Sequence, residues 1–439
     1  MYNNKKIFIL GMAKSGYEVA KLLSESNEIL ICDAKNQDEN SIKELESLGV
    51  KIIITSEPEN FLNDSYDVVI KNPGVFPYHP CITKAETLNI PVVNEMEVAF
   101  HYLNPKTKII GVTGSNGKTT TTTLINEILE SAGVNVILGG NIGTPLSKVA
   151  KNTTEDTILL LEISDHQLND LHEFKTDISI LTNLCPTHLD YHGSYEKYLS
   201  VKKKIFNYHT KESIAIINAS NSDSINITND IASTKVYFND SNNYLKNGII
   251  YINNEPIIST NDILLKGIHN YENILAALVL LTKLNIDFKY AKKVLQEFKG
   301  VEHRLEYVAT INDVVYYNDS KSTNPVATIT ALKSFDANIH LILGGMERSQ
   351  DFNDLAPYNN KIKRIYAIGE VRSRIVEFAQ NNSIPVFSCE TLKLAMENIK
   401  ENTKPGDTVL LSPASASWDQ YAKFEDRGDE FKNIVNTYK

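Results

Sequence analysis

The run from Lys108 to Thr123, KIIGVTGSNGKTTTTT, carries the residues with the most direct chemical meaning. An apolar strand runs into glycines and then into Lys118-Thr119, the arrangement of a phosphate-cradling loop that feeds a helix. Backbone N–H groups of Gly114, Ser115, Asn116, Gly117 and Lys118 can point at a polyphosphate, and the Lys118 ammonium can reach its outer phosphates. The Thr119 hydroxyl, with Thr120 behind it, is a candidate Mg²⁺ ligand, and ATP is the expected substrate. Only Ser115 and Asn116 separate Gly114 from Gly117, so the loop is tighter than the common phosphate loop.

Other residues could complete such a site. Glu162 ends the apolar run TILLLE, which puts a carboxylate where open α/β sheets place their ligands, a second candidate for Mg²⁺. His188 lies with Asp190 and His192 in TNLCPTHLDYHGS; from chemistry alone it is as much a packing residue as a metal ligand. Lys202, in SVKKKIF, reads by itself as part of a solvated basic helix face. Asn270 and Asn273 open an apolar helix, where amides either pair with a base or cap the helix. Arg304 suits a salt bridge or a phosphate clamp, and Asp319, Lys321 and Thr323 follow a strand in YNDSKSTNP.

Three α/β domains are expected to position these groups. Residues 1–93 alternate Ile/Val-rich strands with helices, and the turn Gly11-MAKS-Gly16 contains Ser15. Asp33 ends the next strand, and Asn72-Pro73-Gly74 makes a second turn on the same edge, which together suggest a nucleotide-diphosphate site in a Rossmann-like domain. Residues 94–302 form a central, mainly parallel domain around the phosphate loop, with a peripheral segment over 218–261. Alternation restarts over 303–439 as a further Rossmann-like domain.

Bulk composition narrows the function classes. A length of 439 residues exceeds one core, and 42% hydrophobic with 22% charged residues is ordinary for a globular enzyme. No apolar run suits a membrane span, the N-terminus has no secretory signal pattern, and the four scattered cysteines suggest neither disulfides nor zinc, so a cytoplasmic protein is expected. A formal charge of −10 argues against nucleic acid as a partner.

The tight TGSNGKT loop, TNLCPTHLDYH, YLSVKKKIF, GIHNYENILAA and NDSKSTNP together resemble the Mur ligase family of ATP-dependent amide-forming synthetases, over nearly the whole chain. A monomer is expected, and the resemblance implies two Mg²⁺ ions, one held by Thr119 and Glu162, the other by His188 and a CO₂-derived carbamate on Lys202. It puts Asn270 and Asn273 beside the adenine, Asp319 at the ribose, Arg304 on the phosphates and Asn141, in GGNIG, at the first substrate. The long match SPASASWDQYAKFEDRGDEF is similar to the branch that adds D-glutamate to UDP-N-acetylmuramoyl-L-alanine, with Lys321, Thr323, Ser417 and Phe424 on the D-glutamate. Three places depart from the pattern. Thr187 replaces an acidic residue, Asp165-His166 replaces a Ser-aromatic pair, and Met346-Glu347-Arg348 replaces a loop with a lysine, whose role Arg348 would take. A relative adding another amino acid to the same kind of substrate, a folate polyglutamylating relative, and an ATP-binding scaffold without catalysis are the competing readings.

Overall fold

A computed structural model of the chain describes residues 2–438. Three mainly parallel sheets carry the fold. The first has the order Lys51–Ile54, Glu28–Asp33, Lys6–Leu10, Val68–Lys71, Val92–Val93. Its strands read as nearly unbroken apolar runs because both faces are covered, and Ile7, Phe8, Ile9, Ile31 and Val69 are all at most 1% exposed. Chain direction across the sheet reverses between Lys6–Leu10 and Val68–Lys71, the switch point at which open α/β sheets bind ligands.

The second sheet is six-stranded, in the order Thr234–Phe238, Ile214–Asn218, Ile178–Leu181, Lys108–Thr113, Ile158–Glu162, Val136–Gly140. Its pairings are parallel. Lys108–Thr113 is central, so the loop after it is flanked by the ends of Ile158–Glu162 and Ile178–Leu181. The helix Lys118–Ser131 that follows buries Leu124, Ile125, Ile128 and Leu129 at helical spacing. Its end is set by Gly133, at φ +74°, whose left-handed backbone lets Val134 N–H reach back to Leu129 O. The segment read as peripheral is more ordered than its Asn/Ser-rich composition indicates. It supplies the edge strand Thr234–Phe238 and a small three-stranded sheet between Tyr244 and Ser259.

The third sheet runs Glu306–Ile311, Val314–Asn318, Thr408–Leu411, Ile339–Gly344, Ile362–Ile368, Val386–Ser388, with only the first pair antiparallel. By compactness the chain forms two units. One takes the chain through Lys246 with Tyr251–Pro256 and Glu272–Ala291; the other takes Asn247–Ile250, Ile257–Tyr271 and the chain from Lys292 on.

Within the first unit the first two sheets are tied together by buried polar contacts. Lys71 Nζ lies 2.8 Å from Asp170 Oδ2, both almost fully buried. The Glu97 carboxylate accepts the backbone N–H groups of His172, Glu173 and Phe174. Asn94 Nδ2 donates to Gln167 O at 2.6 Å.

Candidate active site

The phosphate loop is held from one side by the segment after Ile178–Leu181. Ser115 N–H donates to Asn183 O at 2.8 Å, Asn116 N–H to Asn183 Oδ1 at 3.0 Å, and Thr182 Oγ1 to Asn116 O at 2.6 Å. Ser115 Oγ also meets the Tyr198 hydroxyl at 2.6 Å. Gly117 adopts φ +81°, and a Cβ there would sit 2.2 Å from Asn273 Oδ1. The glycine therefore serves both the left-handed turn and a close approach. Lys118 Nζ folds over the loop, donating to Gly114 O and Ser115 O at 2.9 and 3.0 Å. Helix Lys118–Ser131 starts without a side-chain cap, so its first N–H groups suit an anion.

Glu162 is 1% exposed at the end of the neighbouring strand. Its Oε1 accepts Asn141 Nδ2 at 2.7 Å, while its Oε2 is buried without a hydrogen-bond partner among the described residues. A buried carboxylate oxygen left in this way fits a cation partner, and oxygen ligands suit Mg²⁺. Asn141, expected at the first substrate, is exposed and braces this carboxylate.

Lys202 is not on a solvated face; it is fully buried, because helix Tyr195–Lys203 packs Tyr198, Val201 and Lys202 inward. Lys202 Nζ donates to Thr113 Oγ1 at 3.0 Å and lies 3.5 Å from Asp165 Oδ1. Burial, then the charge of Lys118, push this ammonium down to about 7 against the pull of Asp165 and Glu162.

Asp165, at the first position of helix Asp165–Asn169, stands at the middle of this cluster. Its Oδ2 faces His188 Nδ1 at 2.9 Å and His192 Nε2 at 2.8 Å. Burial works to raise its carboxyl, yet the hydrogen bonds of His188 and His192 and the charge of Lys202 hold it well below the usual carboxylate range. Sequence reasoning missed this role and saw only a departure. The sequence offered only its place three residues after Glu162 off the same strand end, while the partners that define its role lie on other elements.

At the first sheet's switch point, Ser15 Oγ donates to Asn72 Oδ1, and Asp33 Oδ2 accepts Met12 N–H at 2.6 Å. Gly11, at φ +96°, brings the turn so close to Asn72 that a Cβ would meet its amide nitrogen. The structure thus brings Ser15, Asp33 and Asn72 together, with Gly74 exposed beside Asn72.

In the second unit, Arg427 is the largest fully buried side chain. Its guanidinium donates to Ser320 Oγ, Ser320 O, Ser415 O and Gly344 O, so one residue ties the ends of three strands. Lys321 Nζ lies 5.8 Å from the Phe424 ring centroid. Ser417 is buried, and its Oγ has no hydrogen-bond partner among the described residues, which leaves a donor for an oxygen ligand. Asp319, expected at a ribose, sits inside the fold. It accepts Leu305 N–H and Ser412 Oγ–H, and burial pushes its carboxyl up to about 6. Arg304 and Thr323 are half-buried. Asn270 Nδ2 donates to Lys266 O at 2.7 Å. Arg348 stacks over the exposed Trp418, 4.7 Å from its ring centroid.

A parallel sheet with a tight phosphate loop at its centre and a buried carboxylate beside it defines a nucleotide-dependent enzyme core. Two family models match the chain: the Mur ligase middle domain over residues 112–281 and the Mur ligase glutamate ligase domain over 303–415. The UDP-N-acetylmuramoylalanine--D-glutamate ligase of Geobacillus sp. (strain WCH70) is 40% identical over 447 aligned residues, covering 100% of this chain and 99% of that protein. The protein of the same name from Geobacillus kaustophilus is 39% identical over the same coverage. The solved UDP-N-acetylmuramate-alanine ligase of Thermotoga maritima superposes with a TM-score of 0.62 at 18% identity, covering 99% of this chain and 100% of that one, a likeness of fold. The chain belongs to the Mur ligase family.

Proposed function

We propose that this chain is an ATP-dependent ligase that joins D-glutamate to UDP-N-acetylmuramoyl-L-alanine, a cytoplasmic step in peptidoglycan precursor synthesis. The observation that carries the reading is the convergence of the phosphate loop, Glu162 with its unpartnered oxygen, and Lys202 at the carboxyl edge of one sheet. Full-length relatives of that name support the choice of substrates.

The alanyl carboxylate attacks the γ-phosphorus of ATP, and ADP leaves. The unprotonated amine of D-glutamate then attacks the acyl-phosphate carbon, the C–O bond to the phosphoryl group breaks, phosphate leaves with one former carboxylate oxygen, and the proton lost from nitrogen passes to that phosphate as the amide forms. Lys118 and the first N–H groups of its helix hold the phosphates. Thr119 and Glu162 would hold one Mg²⁺, His188 and Lys202 the other. Bound there, the ions neutralise charge on the transferring phosphoryl group. Lys202, as the free amine, would add CO₂ to form a carbamate with loss of a proton; its burial beside Thr113 supports this.

Ser15, Asp33, Asn72 and Gly74 would receive the UDP moiety, and Asn270, Asn273 and Arg304 the nucleotide. Ser417, with its open donor, together with Lys321, Thr323 and Phe424, would receive the D-glutamate carboxylates. The division into domains is 1–93, 94–302 and 303–439, in a chain that acts as a monomer. Turnover of substrate carrying ¹⁸O in the alanyl carboxylate tests the route. One ¹⁸O should appear in the released phosphate; unlabelled phosphate alongside amide product would reject an acyl phosphate.

A further inference from the structure

Asp165 and His166 are the residues that the proposed reaction leaves without a task, and they border its metal ligands. Asp165 is buried, with 2% of its side chain exposed; His166 and His188 are open to solvent at 26% and 46%. One ligand atom from each of Asp165, His166 and His188 lies within 4.8 Å of the other two. An ion with bonds of roughly 2.1 Å spans about 4.2 Å between opposite ligands, so these three converge on one ion with shifts of about half an ångström.

The His166 ring is tilted by 34° against that of His188, with centroids 5.0 Å apart, and it is held edge-on against Tyr191 at 4.1 Å. Packing therefore fixes the imidazole beside the carboxylate. A helix cap does not explain Asp165, because the cap of its helix is Ser164, in a complete capping box with Gln167. A carboxylate that only neutralised Lys202 would not need three imidazoles around it, yet His166, His188 and His192 all surround Asp165.

We propose that Asp165, His166 and His188 form a divalent-metal site with one carboxylate and two imidazole ligands, and that this site selects Mn²⁺ over Mg²⁺. Mg²⁺ keeps oxygen ligands and water, whereas first-row ions accept imidazole; Mn²⁺ is the weakest binder of that row but takes ring nitrogens more readily than Mg²⁺ does, so two of them bias the site toward Mn²⁺ relative to Mg²⁺. The inference rests on the proposed function and deepens it: at the second metal position of that reaction it puts Mn²⁺ in place of Mg²⁺. A carbamate on Lys202 would also remove the cation nearest Asp165, so the two modifications of the site act in the same direction.

The test is Mn²⁺ binding followed by electron paramagnetic resonance on the intact protein, with Mg²⁺ as competitor and ligation assayed separately on the same samples. Wild type should keep one Mn²⁺ that a hundredfold excess of Mg²⁺ does not displace. Asp165→Ser and His166→Phe should each weaken that Mn²⁺ by more than about 100-fold, beyond the roughly 10–100-fold that loss of a partner hydrogen-bonded to a ligand costs. His166→Phe installs a side chain of the aromatic kind usual at this position and keeps the packing on Tyr191, which guards against simple unfolding. Displacement of Mn²⁺ by Mg²⁺ in wild type, or tight Mn²⁺ unaltered in both variants, would overturn the proposal. Tight, variant-sensitive Mn²⁺ in a protein that ligates no amino acid would uphold the metal site and reject the reaction.

Discussion

In the proposed reaction, Lys118 is the residue on which the phosphate chemistry most depends. In Lys118→Ala the charge at the outer phosphates is lost while the loop's hydrogen bonds to Asn183 and Thr182 remain. Turnover should fall by about a thousandfold or more in a phosphate-release assay, with an unchanged circular dichroism spectrum. Glu95 gives a residue-scale prediction away from the site. It is buried, accepts Ser147 N–H, and burial pushes its carboxyl from 4.5 up to about 7. A carboxyl raised in the folded state contributes stability that is full below its unfolded value and is lost as pH rises through the folded one. Wild type should therefore lose on the order of 3 kcal/mol relative to Glu95→Gln between pH 4.5 and pH 7, seen as diverging denaturant midpoints. The phosphate loop was readable in the sequence because its residues are contiguous. Asp165 was not, because its partners His188, His192 and Lys202 come from two other elements and meet only through the sheet.

Among the elements, the turn between Lys108–Thr113 and Lys118–Ser131 is the most constrained. Gly117→Ala adds strain at φ +81° and a Cβ at 2.2 Å from Asn273 Oδ1. Nucleotide affinity should drop at least about tenfold by calorimetry, with kcat lowered as well. The strands and the order of the sheets' motifs were legible from apolar runs and turn residues. What the pattern could not give was the inward face of Tyr195–Lys203. Its consecutive lysines conceal that Lys202 lies on the same side as Tyr198 and Val201. Arg427 was hidden for a similar reason, since a charged residue in an acidic helix reads as surface until the strand ends that it ties are known.

At the scale of the molecule, the residues of the proposed reaction are divided between the compact units: the phosphate loop and carboxylates belong to one, Ser417, Lys321 and the loops around Arg427 to the other. Inside the first unit, Lys71 and Asp170 join the first sheet to the central one as a buried ion pair. Lys71→Met leaves Asp170 buried without its ion-pair partner and should cost about 3–5 kcal/mol, whereas Lys71→Met with Asp170→Leu should recover most of it. A double-mutant cycle in denaturant reads both. The most direct test of the whole account is phosphate release with Mg²⁺-ATP and UDP-N-acetylmuramoyl-L-alanine, supplied in turn with D-glutamate, L-glutamate, lysine, meso-diaminopimelate and no amino acid. Release with D-glutamate alone is the predicted result; release with another of these amino acids, or none despite nucleotide binding, would contradict it.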